Sequence, residues 1–253
     1  MHINNINLRN YYHNGYGNID GWVSEKLFLI FDYIDSLPIN KVGGVCEIGV
    51  HHGKFYLLMN QLVANSEQSY AIDIFDLQHL NVTHSGGYGT PVNNFTLDVT
   101  NIFKLNLFRY DAHNGTNTNI IKHDSTGPHH YLDNIIKPGS LRFFSVDGGH
   151  SVEHVINDLN IANRLISNEG LVILDDVCNH SWISVMEGLC KYMMTYPTLV
   201  PIAIGFNKMW MCKLSYRDYY YEQFLKSPFC DRPTRFFGND IISMPLSESA
   251  YLG

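Results

Sequence analysis

Val42-Gly-Gly-Val-Cys-Glu-Ile-Gly-Val-His-His-Gly53 is a short apolar run that ends in glycine. Apolar Phe55, Leu58, Met59 and Leu62 follow it at the spacing of a helix. A strand that turns through glycine into a helix lets backbone approach a ligand closely and points helix N–H groups into the crevice. The stretch lacks the G-x-G-x-x-G that holds a pyrophosphate in dinucleotide enzymes, which argues against a nicotinamide-dependent oxidoreductase. Instead Glu47 precedes Gly49, with Gly53 opening the helix. A carboxylate at that point suits a cationic or amine-bearing ligand better than a phosphate.

Outward from this stretch the same alternation repeats. Tyr70-Ala-Ile-Asp-Ile-Phe75, Asn119-Ile-Ile-Lys122, Leu141-Arg-Phe-Phe-Ser-Val146 and Leu171-Val-Ile-Leu174 read as further buried strands. Between the last two, Val152, Val155, Ile156, Leu159 and Leu165 form one stripe of a helix that Ser151 can cap. Strands alternating with helices predict a parallel sheet covered on both faces. The end of the chain differs. Leu199 to Ile204 and Met209 to Leu214, separated by Gly205-Phe-Asn-Lys208, predict an antiparallel hairpin after a helix over Met186 to Tyr192. The reading is one domain over residues 1–253: an arm or cap over 1–41 with a helix around Leu27, Ile30, Phe31 and Ile34, a core over 42–215, and a tail over 216–253 that does not extend the sheet. Leu77 to Asn94, with Ser85-Gly-Gly-Tyr-Gly89, reads as a mobile loop.

In a parallel sheet the strand ends share the edge where ligands bind, so the residues following each strand carry the functional reading. Asp73 is placed to accept bonds from both hydroxyls of a ribose, and Asp124-Ser125 to meet an adenine. Asp147-Gly-Gly-His150 follows one strand and Asp175-Asp176 the next. Three carboxylates converging there repel one another and raise each other's pKa unless a cation sits between them. Oxygen ligation suits a hard ion, Mg²⁺ or Mn²⁺, rather than zinc. His150 lies where a neutral imidazole can accept a hydroxyl proton. The competing reading has Asp147 capping the next helix and Asp175-Asp176 in a solvated turn.

Composition narrows the classes. With 45% hydrophobic and 16% charged residues the chain is an ordinary globular protein, and a net charge of −7 with no basic run argues against a nucleic-acid partner. No apolar stretch approaches the ~20 residues of a membrane span, and the polar, Asn-rich start does not read as a signal peptide. Five cysteines without a C-x-x-C pair predict reduced thiols in a cytoplasmic protein, in which the sequons at Asn81, Asn94, Asn114 and Asn179 are accidental.

Taken together, Glu-Ile-Gly-Val-His-His-Gly53, Ile72-Asp-Ile-Phe-Asp76 and the terminal hairpin resemble class I S-adenosylmethionine-dependent methyltransferases, over roughly Val42 to Leu214. The resemblance implies a Rossmann-like fold, a mostly parallel seven-stranded sheet with an antiparallel last strand. It implies that Glu47, Gly49 and Gly53 hold the methionine end of the cofactor, Asp73 its ribose, and Asp124 with Ser125 its adenine. The Asp147-x-x-His150 and Asp175-Asp176 pair is similar to that of metal-dependent sugar O-methyltransferases of the macrocin O-methyltransferase type, as is the loop Asp76 to Gly89. That likeness implies Mg²⁺ (or Mn²⁺) on Asp147, Asp175 and Asp176, with His150 as general base and Asp147 also catalytic. The acceptor it implies is a sugar-like small molecule, and a homodimer is the expected assembly. Other acceptors (a catechol, a lipid-linked or phosphoryl-type oxygen) and a non-catalytic adenosine-ligand-binding module are the alternatives. Residues 1–40 and 216–253 match no motif of these enzymes.

Overall fold

A computed structural model describes residues 2–77, 80, 98–127 and 130–245. The predicted strands form as β1 (Gly44–Ile48), β2 (Ser69–Asp73), β3 (Thr118–Lys122), β4 (Leu141–Val146), β5 (Ile166–Leu174), β6 (Leu199–Gly205) and β7 (Lys208–Lys213). They lie in the order β3-β2-β1-β4-β5-β7-β6. The first five are parallel and β7 runs antiparallel between β5 and β6. This is the Rossmann-like α/β arrangement expected, a mostly parallel sheet whose order reverses between β1 and β4.

Every residue of β1, β2 and β4 is buried, as it must be for strands covered on both faces. Alternate side chains serve two cores. Val45, Ala71, Phe143 and Ile173 face α2 (Leu27–Ser36), α3 (Lys54–Asn60) and α4 (Val99–Tyr110), while Cys46, Ile72, Phe144 and Val172 share a core with α5 (His130–Asp133), α6 (Val152–Leu165) and α7 (Ile183–Met193). The first of these cores also takes in Leu8 and Tyr11 of α1 (Ile6–Asn14), so the arm packs on the sheet through its apolar face. Ser151, not Asp147, caps α6: its Oγ accepts the His154 N–H at 3.3 Å.

The tail departs from expectation. After α8 (Arg217–Lys226), β8 (Arg232–Phe236) and β9 (Asn239–Ser243) form a hairpin, and β9 pairs parallel with β6, so the sheet has nine strands. Ile241, Ile242 and Met244 are buried against it. The turn at Phe237-Gly238 takes positive φ at both residues, 49° and 74°, which matches the twist of a two-residue hairpin. The hairpin is masked in the sequence because β8 is an exposed edge strand, Arg-Pro-Thr-Arg-Phe, with neither alternation nor apolar density. The loop read over Leu77 to Asn94 lies, apart from Leu77 and Leu80, outside the described residues, as does the tail beyond Pro245. Among the described residues no helix is long and apolar enough to cross a membrane, and the five cysteines are free.

Candidate functional site

The ladder bonds of the sheet run one residue past the strand ends. Gly49 N reaches Ile72 O, Asp147 N reaches Ile48 O, and Asp175 N reaches Val146 O, each at 2.9 Å. These bonds set Gly49, Asp147 and Asp175 side by side where the strand order reverses, on the wall of a cavity of about 820 Å³. Glu47, Asp73, Asp124, Ser125, His150 and Asp176 line the same cavity, so the structure gathers nearly all the expected site residues around it. Gly53 is absent from the lining. It stands in the left-handed region at φ 85° as the N-cap of α3, where a Cβ would meet the Phe103 ring at 2.5 Å.

One half of the site is built on the glycine turn. Gly49 has φ 86°, and a Cβ there would lie 1.7 Å from the Asp147 carbonyl oxygen, so only glycine lets the two strand ends touch. His51, also in the left-handed region at φ 50°, is held by its N–H donating to Asp73 Oδ2 at 2.9 Å. Asp73 Oδ1 accepts the Phe75 N–H at 2.6 Å, so this carboxylate braces two turns while facing the cavity. Asp124 Oδ1 accepts the N–H and hydroxyl of Thr126, 2.9 and 2.8 Å away. Glu47 is 1% exposed, and its Oε2 has no hydrogen-bond partner among the described residues. Burial pushes its carboxyl up to about 8, against the pull of the nearby Ser145 hydroxyl and Lys208 ammonium. Burial, with His52 stacked 4.0 Å away, lowers the His51 imidazole to about 4, so the loop beyond the turn is uncharged at neutral pH.

The second half brings together Asp147, His150 and Asp176, whose ligand atoms all lie within 4.8 Å of one another. His150 Nε2 is 2.7 Å from Asp176 Oδ2, and its ring stacks on Trp182 at 4.4 Å and 21°. The Ser184 hydroxyl donates to the His150 carbonyl at 2.5 Å, so ring and backbone are both fixed. His150 Nδ1 is buried without a partner among the described residues. Asp176, at φ 60°, accepts the amides of Asn179 and Asn207 on Oδ1, 2.9 and 2.6 Å away. Although burial works the other way, these bonds and His150 hold its carboxyl below the usual range. Burial, then the neighbouring Asp175, raises the Asp147 carboxyl well above that range, against Lys208.

Asp175, expected beside Asp147 and Asp176, lines the same cavity. It belongs to an ion pair with Lys208, the first residue of β7, which is 2% exposed. Its other oxygen accepts the Asp176 N–H at 2.8 Å. Lys208, Asn207, Asn179 and Trp182 were not legible as site residues, since a lysine and an asparagine in a hairpin turn read as solvated. The arm supplies another wall through Asp20 and Trp22, and Trp22 is 77% exposed with its ring 5.9 Å from that of His51.

The residues present fit both groups that the sequence resemblance implies. The orphaned, buried Glu47 Oε2 and the cradle at Gly49 fit an amine-bearing donor. A raised Asp147 carboxyl beside Asp176 fits a divalent ion, whose charge removes the repulsion between them.

A family model described as a methyltransferase domain matches residues 46–177. The O-methyltransferase NovP is similar in structure, with 18% identity over 72% of this chain and 76% of that one and a TM-score of 0.52. So is the O-methyltransferase from Bacillus cereus in complex with SAH, with 13% identity over 81% of this chain and 89% of that one and a TM-score of 0.52. No curated protein matches in sequence.

Proposed function

The chain belongs to the methyltransferase-domain family, and from that premise we propose that it is an O-methyltransferase acting on a hydroxyl of a small, sugar-like acceptor. The observation that carries the proposal is the convergence of Asp147, His150 and Asp176 at the edge where Glu47 and the glycine turn meet the same cavity. That two structural neighbours are O-methyltransferases, one solved with SAH, supports oxygen as the acceptor atom and S-adenosylmethionine as the donor.

In this reading Glu47 takes the donor's amino group, Gly49 gives its methionine end room, Asp73 meets the ribose, and Asp124 with Ser125 the adenine. Gly53 acts by fixing the start of α3. Asp147 and Asp176 would hold Mg²⁺ or Mn²⁺, and Asp175 stands beside them. The donor supplies an electrophilic sulfonium methyl group, and the divalent ion lowers the pKa of a hydroxyl brought to it.

His150 removes the hydroxyl proton. Taking the proton makes an imidazolium, and Asp176 stabilises it at 2.7 Å. Trp182 keeps the ring plane fixed and shields it from water. The remaining contribution is orientation, oxygen and methyl held in line on a rigid sheet edge. The same reading takes the protein as a cytoplasmic homodimer without a nucleic-acid partner.

Calorimetric titration with S-adenosylhomocysteine, with and without Mg²⁺, tests the donor assignment. Saturable binding is expected in both the wild type and His150→Ala, while turnover of an accepted hydroxyl falls by about 10²- to 10⁴-fold in the variant. Absence of binding under both conditions overturns the donor assignment. Turnover that persists in EDTA overturns the metal-assisted route.

A further inference from the structure

Lys208 is the one cation seated among the described buried carboxylates of the site, and a buried ammonium requires a counter-ion. Its stem rises from the start of β7, its Nζ lies 4.3 Å from the centre of the Phe55 ring, and it pairs with Asp175 Oδ2. Its neighbour Asn207 donates to Asp176 Oδ1. Two consecutive residues, the last of the β6–β7 turn and the first of β7, thus grip two consecutive carboxylates of the β5 end, one with a charge and one without. The difference decides what each carboxylate can still do. Asp175 is neutralised by the ammonium and its second oxygen is used by a backbone N–H. Among the described residues Asp176 is bonded by neutral amides and by an imidazole, so its negative charge stays available; such bonds to a ligating carboxylate are those that orient it for a metal.

We propose that Lys208 is a positioning residue that reserves Asp175 as its own counter-ion, leaving the divalent ion to Asp147 and Asp176. The proposal rests on the metal-assisted reading above and narrows it. Charges then pair off: two carboxylates to the dication, one to Lys208, and Glu47 to the donor's ammonium. His150, beside the first pair, stays free to move a proton. Asp175 as a third ligand would strand the ammonium.

Mn²⁺ titration, read from the electron paramagnetic resonance signal of the free ion, tests this on the whole protein. Asp175→Asn alone leaves Lys208 buried and unpaired, so the informative variant is Asp175→Asn/Lys208→Met, which removes both charges. Its Mn²⁺ affinity is expected to stay within about threefold of wild type, while Asp176→Asn weakens binding by roughly tenfold or more. A double variant that loses as much affinity as Asp176→Asn overturns the proposal and leaves the metal reading standing. A wild type that binds no Mn²⁺ overturns both. Should the double variant not fold, wild-type crystals grown with Mn²⁺ decide the matter. Asp147 and Asp176 oxygens at roughly 2.0–2.3 Å from the ion, with Lys208 still against Asp175, are expected; an Asp175 oxygen in the coordination shell overturns the proposal.

Discussion

At the scale of single residues, the site is a set of buried charges whose protonation differs from that of the unfolded chain. Glu47 is the clearest. Its folded pKa of about 8 lies above the unfolded value of roughly 4.3, so the folded state binds the extra proton and stability is lost as pH rises through the folded value. Asp158, fully buried in α6 and pushed up by burial to about 7, acts with the same sign. The protein without its donor should therefore lose on the order of 1–2 kcal/mol of unfolding free energy to Glu47 alone between about pH 6.5 and 8. Glu47→Gln should flatten that loss. Urea midpoints measured across the interval check it, and a wild-type midpoint that holds steady or rises with pH defeats the assignment. Part of this was legible beforehand: Glu47 and Asp147 stood out as acids beside glycine at the sheet edge, and His150 because it follows Asp147-Gly-Gly. Lys208 and the division of Asp175 from Asp176 were not, because the ion pair joins residues 33 positions apart.

At the scale of elements, the turn between β1 and α3 carries the tightest constraint. Gly49 combines φ 86° with a carbonyl 1.7 Å from where a Cβ would stand, and both faults arise from one residue. Gly49→Ala should cost more than ~3 kcal/mol, seen as a fall of roughly 10 °C in thermal midpoint or as insoluble protein. A midpoint within a couple of degrees of wild type shows that the strand ends can part. This turn was readable from Glu47-Ile-Gly-Val-His-His-Gly53 because periodicity and glycine placement are local signals. The β8–β9 hairpin was not. An edge strand has no buried face, and the contacts that fix β9 come from β6, nearly forty residues earlier.

At the scale of the whole molecule, the cavity belongs to no single segment. The sheet edge supplies its floor, while Asp20 and Trp22 of the arm close one side. The Trp22 indole, 77% exposed on the cavity wall, offers an apolar face to the cavity and stands outside the residues read for the donor. Trp22→Ala should raise the acceptor KM by about tenfold and leave S-adenosylhomocysteine affinity within about twofold. A comparable loss of S-adenosylhomocysteine binding instead assigns Trp22 to the donor side. The amino-acid sequence by itself determined the strand–helix alternation, the glycine turn, the hairpin of β6 and β7, and which acids stand at strand ends. All of these depend on spacing within a few residues, where backbone geometry and burial periodicity leave a direct mark. Only the tertiary structure decided that the tail joins the sheet, that the arm walls the cavity, and that Asp175 faces an ammonium while Asp176 faces an imidazole. Those outcomes rest on which distant side chains meet in the folded chain, where a buried charge must find a counter-charge and sequence distance carries no information.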